Sequence, residues 1–352
     1  MIRQALQRWG GTALMVTCAA VLLALAILVI GRRGATEAGD QLVAGLQRGA
    51  VYALIAIGYT LVYGILELIN FAHGDVFTLS AFYAVFIAAL LDDVGIHLGA
   101  MATSGPLGLL LALLIIFPLT MFGAGMTGVL IERVAYRRLR DAPRLAPLIT
   151  AIGVSFLLQG IMYAFFVPPG GGIGGNYPTG KAGWVRGDAL AVGGVHVGWN
   201  DLFVVVVAVM LMVALQSFIR HGRLGKAMRA TAQDRDAALL SGININRTIA
   251  ATFFIGSALA AAAALVYSIH YDLVQWNLGF RIGIIAFTAA VLGGIGNILG
   301  AGIGGFLIGL IEVFSSELIG GQWSNSVIFV VLILVLTVRP TGLLGLRVPN
   351  RA

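Results

Sequence analysis

Only one cysteine, Cys18, stands in the 352 residues, and it lies inside an apolar run. One thiol excludes a disulfide framework and any cysteine-built metal centre. Charge is nearly as scarce: Asp, Glu, Lys and Arg make up 11% of the chain, against 59% hydrophobic residues. With a mean hydropathy of +0.97, the chain is no ordinary soluble globule. Several runs reach the ~20 apolar residues that cross ~30 Å of hydrocarbon. The histidines offer no metal site, because His73 has no second His or Cys and no carboxylate at ligand spacing. No catalytic constellation and no ring-forming filter segment is visible. Carboxylates are few inside the apolar runs, which counts against coupling to an ion gradient. The nearest approach to a phosphate loop, Gly175-Asn176-Tyr177-Pro178-Thr179-Gly180-Lys181, carries Ala182 where a Mg²⁺-binding Ser or Thr belongs. No hydrophobic strand leads into it, so the chain is not expected to be an ATPase.

What is present is hydrophobic and rich in glycine. The 48 glycines recur inside apolar segments, where small residues let helices pack closely. The expected fold is an all-α polytopic integral membrane protein, a bundle of about eight to ten transmembrane helices with broken or re-entrant segments. The net charge of +7 gathers in a few loops, as the positive-inside bias requires, and is no nucleic-acid signal. Arg133, Arg137, Arg138, Arg140 and Arg144 mark one inside loop, residues 220–248 a second, and Arg347 and Arg351 an inside tail. The glycine-rich segment Pro168–Asn200 belongs outside. Thr12–Ile30 reads as a first transmembrane helix or a signal peptide. The retained helix is favoured, because the run is long for a signal and residues 31–40 offer no small-x-small cleavage site. Arg32 and Arg33 after it fit poorly with an inside amino terminus.

Two hydrophobic pairs are interrupted. Leu54–Leu91 is broken at Asn70-Phe71-Ala72-His73-Gly74-Asp75, and Ile284–Leu310 at Gly293-Gly294-Ile295-Gly296-Asn297 and on to Gly300. Paired interruptions point to a substrate path near the membrane midplane and to a weak internal repeat. Two readings of the first break stay open. Asn70 and His73 line a path for a polar solute, or Asn70 and Asp75 cap two helices at a tight turn. Gly296/Gly300 and Gly300/Gly304 are small-xxx-small pairs suited to close contact. Glu312 and Glu317 are expected where the following segment meets water.

Residues 220–248 are the longest stretch dense in charge. Six basic residues (Arg220, Arg223, Lys226, Arg229, Arg235, Arg247) stand against Asp234 and Asp236. Leu224, Ala227, Met228, Thr231, Ala232 and Leu239 recur at helical spacing, which predicts a short amphipathic helix over 224–242. Gly242 is placed to end it.

Several motifs resemble one family, in the same order. They include Gln41–Gly45, Tyr52–Gly64 and Ile69–Asp75, then Gly222–Ala230, Phe287–Gly296 and Arg339–Gly345. Together they are similar to the permeases of branched-chain amino acid ABC transporters, over about Asp40–Leu346, and look like the H-type member of the permease pair. Asp236-Ala237-Ala238-Leu239-Leu240-Ser241-Gly242 resembles the coupling loop E-A-A-x-x-x-G of importer permeases, with Asp in place of Glu. The resemblance implies one permease domain over 1–352: an additional helix at 1–39, a core at 40–346 and a cytoplasmic coupling loop at 220–248. It implies a second homologous permease, two cytoplasmic ATP-binding subunits, a periplasmic binding protein and a bacterial inner membrane as surroundings, and no nucleic acid. No cofactor is expected on this chain, with ATP and Mg²⁺ on the partner ATPases. The implied path candidates are Asn70, Phe71, His73, Gly74, Asp75, Gly293, Gly294, Gly296 and Asn297. The implied coupling residues are Leu224, Arg229, Asp236, Ala237, Ala238 and Gly242. The same family includes urea and short-amide permeases, which stay open as alternatives beside an ion-coupled carrier.

Overall fold

A computed structural model describes residues 2–66, 68, 70–140, 142–143, 145–166, 187–271, 274–339 and 341–345, with 2–17 described by backbone alone. The phosphate-loop lookalike at 175–181 and the tail arginines lie outside them. The elements in order are α1 (Ile2–Arg33), α2 (Ala35–Leu66), α3 (Ala72–Asp93), α4 (Leu98–Thr103) and α5 (Pro106–Ile131). A wide turn (Glu132–Tyr136) and a tight one (Arg137–Leu139) extend α5, and α6 (Leu145–Phe166) follows. A hairpin, β1 (Asp188–Val192) and β2 (Val195–Gly198), leads into α7 (Trp199–His221), α8 (Arg223–Gln233) and α9 (Arg235–Leu240). The chain continues through α10 (Ile245–Tyr271), α11 (Leu278–Gly293), α12 (Ile298–Ile319) and α13 (Ser324–Val338).

Seven helical segments are long and apolar enough to span a bilayer: α2, α3, α5 with its extension, α6, α7, α10 and α12. Helices α11 and α13 are shorter apolar helices beside these seven, and the chain is a multi-pass membrane protein. Both α11 and α13 are short, and the 16 residues of α11 rise only ~24 Å. The sequence run Leu299–Phe314 underestimates α12, which is 22 residues long. Its two acids are partnered, Glu312 within the run to Arg48 at 3.6 Å and Glu317 beyond it to Arg33 at 3.1 Å.

Helix α2 is the axis of the bundle. A helix apolar all round is a buried one, and 89% of its best span is buried, against 28–33% for α5, α6 and α7. It is wedged between α12 and α10. The α2–α12 seam is built from small residues: a Cβ on Gly305 would strike the Ala53 backbone, and one on Gly49 would stand 2.6 Å from the Phe306 Cα. The run Ala258–Leu265 of α10 is buried throughout, its small side chains admitting close neighbours.

The ends of the bundle differ. At one, Arg140 donates to Asn246 at 2.6 Å and pairs with the buried Glu132, tying the end of α5 to the start of α10. Helices α8 and α9 join them there; we call this the basic end. At the other, the hairpin packs on the start of α2, where the His196 N–H donates to Asp40 at 3.0 Å. Arg32 and Arg33 belong to this hairpin end, Arg32 donating to the Leu318 carbonyl at 3.3 Å and Arg33 pairing with Glu317. Glu317 thus balances the basic pair that fits poorly with the charge rule.

Candidate functional site: two interrupted pairs and a helical loop

Both interruptions face the basic end, not the middle of the bundle. Helix α2 ends at Leu66, where Arg235 of α9 donates to the Ile65 and Leu66 carbonyls at 3.1 and 3.3 Å. These are carbonyls the helix itself leaves unpaired. The chain then turns back before α3 begins. His73 lies against Gly58 and packs edge-on to Tyr59, with ring centroids 4.8 Å apart. Gly58 precedes Leu66 by eight residues, so α3 starts ~12 Å in from the end of α2.

The tight-turn account of this break is corrected by its hydrogen bonds. Phe71 occupies the N-cap of α3 and gives no side-chain cap. Asn70 instead accepts from the Tyr136 hydroxyl at 2.9 Å. Asp75, fully buried, accepts from Ser155 and, at 3.1 Å, from Gln159, both on α6. Asn70 and Asp75 therefore bond α3 to α5 and α6 and cap nothing. The reach of these bonds could not be read from spacing, since Tyr136, Ser155 and Gln159 lie 66, 80 and 84 residues away.

The second break is held by backbone. Gly294 and Gly296 adopt φ of +108° and +92°, a region open to glycine at little cost. The segment after α13 folds onto it: Leu343 N–H donates to Leu292 O at 2.8 Å and Leu344 N–H to Gly293 O at 2.9 Å. Asn297 bonds both ways, its amide donating to Leu344 O at 2.8 Å and its oxygen accepting from Gly300 N–H at 3.1 Å as the cap of α12. A Cβ on Gly293 would strike the Gly300 carbonyl and one on Gly304 the Ala289 carbonyl, while Gly296 faces open space. Of the two small-xxx-small pairs, Gly300/Gly304 is the one packed into α11.

The two breaks meet at a small cavity. Tyr59 and Tyr63 of α2, Leu68 and Asn70 of the first break, Phe287 and Ala290 of α11 and Ile295 of the second line about 10 Å³, the room of roughly one water molecule. Phe71 and Tyr59 each pack against Phe287 with centroids 6.1 Å apart. Gly74 lies against Gly279 and Gly283, bringing α3 and α11 into backbone contact. Of the sequence candidates, Asn70 lines the cavity and Phe71 flanks it. His73 and Asp75 point into the protein, Gly74 serves the α3–α11 contact, and Gly293, Gly294 and Asn297 serve the tail clamp. Tyr59, Tyr63 and Phe287 were not singled out, although all three stand within the quoted motifs.

The basic loop also departs from expectation. Residues 224–242 form two helices, because Asp234 is extended (φ −156°, ψ 115°) and accepts from the Asp236 and Ala237 N–H groups as the cap of α9. Asp is a strong N-cap residue, and it divides the segment. Gly225, Met228 and Thr231 are buried, and Leu224 is half-buried beside them. Arg229 is exposed and donates back to the Ile219 carbonyl near the end of α7. Asp236 and Ala237 are exposed and Ala238 is buried. Gly242 (φ +80°) and Ile243 donate to Leu239 O at 2.9 Å and Ala238 O at 3.0 Å, the Schellman ending that favours glycine at this position. Leu239 and Leu240 are 59% and 90% exposed. This exposed leucine pair follows Asp236 on α9 and does not stand among the coupling residues read from the sequence. Among the described residues no three His, Cys, Asp or Glu side chains gather closely enough to hold a metal ion.

A multi-pass helical bundle whose two interrupted pairs meet at a polar-rimmed cavity is the architecture of a membrane permease. The particular kind follows from comparison with known proteins. Residues 41–336 match the family described as branched-chain amino acid transport system, permease component, and the chain belongs to that family. It is 44% identical over 307 residues to the high-affinity branched-chain amino acid transport system permease protein BraD of Pseudomonas aeruginosa, covering 87% of this chain and 95% of that one. It is 41% identical over 318 residues to the corresponding permease protein LivH of Escherichia coli, with the same coverage. The LivH protein of Salmonella typhimurium is 40% identical over 318 residues, again covering 87% and 95%.

Proposed function

We propose that this chain is a membrane-spanning permease subunit of a bacterial ATP-driven importer, moving Leu, Ile, Val or related aliphatic amino acids across the inner membrane. The observation that carries this reading is the likeness to branched-chain permeases along almost the whole of both chains. A urea or short-amide permease has less support, since the relatives above are named for branched-chain amino acids. An ion-coupled carrier has less as well. The deeply buried carboxylates, Asp75 and Glu132, are each tied to a protein partner, as structural polar groups inside a membrane are.

In this scheme the basic end is cytoplasmic, as its excess of arginine favours. A second homologous permease completes the channel, a periplasmic binding protein delivers the solute to the hairpin end, and two cytoplasmic ATP-binding subunits hold ATP and Mg²⁺. Helices α8 and α9 form the coupling element. Leu239, Leu240 and the Asp236 carboxylate offer an apolar knob with a charged edge for a cleft on the ATPase. Arg235, bonded to the end of α2, passes its displacement directly to the first break. The cavity between the breaks then opens and closes as the ATPases approach and separate.

Cysteine crosslinking tests the coupling role. A cysteine at Leu240 or Asp236 should capture the ATPase subunit in the assembled complex and not the binding protein. Assembly without capture at either position would remove α9 from the coupling path. The isolated chain should hydrolyse no ATP.

A further inference from the structure

A second polar recess lies toward the hairpin end, apart from both breaks. It is lined by Gln47, Arg48, Val51 and Tyr52 of α2 and by Val266, Tyr267, His270 and Tyr271 of α10. Glu312 of α12 stands behind this wall, 3.6 Å from the Arg48 guanidinium and accepting from the Tyr52 hydroxyl at 2.6 Å. The recess opens inside the apolar stretch of α2, since Arg48 follows Leu42, where that stretch begins, by six positions, ~9 Å of helix rise. A cation and an anion at that depth in a spanning helix are costly, and such pairs mark functional sites by default. Structure alone does not require them, because apolar residues of similar volume often replace a buried pair without loss of stability. The pairing is also loose. At 3.6 Å it is longer than a charge-assisted hydrogen bond of 2.7–2.9 Å, and the Arg48 side chain stays 37% exposed.

We propose that Arg48 and Glu312, with the tyrosines around them, form an entry site that takes the carboxylate and the ammonium of a zwitterionic amino acid arriving from the hairpin side. The guanidinium offers a planar fork for a carboxylate. Glu312 exchanges its loose contact with Arg48 for the incoming ammonium, and Tyr52 holds the carboxylate in place meanwhile. The recess holds about 20 Å³, the room of a water molecule or two, so it widens to admit the solute, and Val51, Val266 and the ring faces of Tyr267 and Tyr271 then supply an apolar wall for an aliphatic side chain. Urea and simple amides carry neither charge, so the pair would select amino acids against them. This site rests on the import reading above and deepens it.

The test uses the complete complex in proteoliposomes, with its binding protein and ATP, and measures leucine uptake. The triple variant Arg48→Met, Tyr52→Phe, Glu312→Leu removes both charges and the hydroxyl together, leaving no lone buried charge. Copurification of all subunits checks its assembly. Uptake should fall about tenfold or more, since a lost charge-assisted contact is worth at least that factor. A fall of less than threefold in an assembled complex would overturn the proposal. If the triple variant does not assemble, Arg48→Lys decides, since it keeps the charge and the pair but loses the fork. It should raise the KM for leucine-loaded binding protein at least threefold, and a smaller change would overturn the proposal. Leucine uptake by the wild-type complex is the separate control: its absence would sink the import reading, whereas wild-type uptake with an insensitive variant sinks only the entry site.

Discussion

The two interrupted pairs solve one problem by opposite means. The first break is held by side chains that reach other helices, Asn70 to Tyr136 and Asp75 to Ser155 and Gln159. The second is held mainly by backbone, with glycines pressed against glycines, the 341–345 segment hydrogen-bonded across Leu292 and Gly293, and one side chain, Asn297, bridging Leu344 and Gly300. Side-chain bonds can be altered one at a time with the backbone left in place. Backbone contacts at the distance of a missing Cβ cannot. The first break should therefore tolerate single substitutions better than the second.

Substitutions at the two breaks can break or sharpen this contrast. The largest effect is expected at the second. Gly304→Val drives a side chain into the Ala289 carbonyl, and overpacking a backbone contact costs about 3 kcal/mol or more. Folded protein recovered from detergent by size exclusion should fall sharply. Gly296→Ala is the internal control: its side chain meets open space and only the φ of +92° is strained, costing about 1–2 kcal/mol. Equal losses from the two would mean that conformation, not contact, governs this break.

Next comes Asp75→Ala, which leaves Ser155 and Gln159 without their acceptor and costs about 1–3 kcal/mol. The thermal midpoint should drop, and Asp75→Asn should recover part of the loss. Tyr136→Phe removes one 2.9 Å bond, worth about 1 kcal/mol, and should lower uptake more than stability because it frees Asn70 at the cavity. The smallest effect is expected at His73→Leu. Its Nε2 has no hydrogen-bond partner, its ring is buried against Gly58 and Tyr59, and it does not line the cavity. Stability should change by less than about 1 kcal/mol, with uptake near wild type. Loss of uptake in a well-folded His73→Leu variant would return His73 to the path.

Hydropathy makes the spanning helices legible, and loop arginines separate the two ends. Both breaks were visible as well, since Asn70–Asp75 and the Gly293–Asn297 cluster stand out from apolar surroundings. Their partners were not. Bonds from Asn70 to Tyr136 and from Asp75 to Gln159 cross most of a helix bundle, and no periodicity encodes which polar residue on a distant helix will face them. Glu312 and Glu317 were read as the end of a segment because a helix was expected to stop at its charges. Arg33 and Arg48, each on another helix, neutralise them and let α12 run on. The split at Asp234 was readable in principle, as an Asp followed by a short apolar run is an N-cap signature. It was passed over because the amphipathic pattern on either side continues nearly in phase.

The central claim is that this chain passes branched-chain amino acids under the control of ATP, and uptake measures it most directly. The chain is reconstituted in proteoliposomes with the permease, ATPases and binding protein proposed as its partners, and labelled leucine is offered at the binding-protein side with ATP at the other. Leucine should accumulate only with ATP, with Ile and Val competing and urea or acetamide having no effect. Accumulation driven by an ion gradient without ATP, or preference for urea or an amide over leucine, would contradict the account.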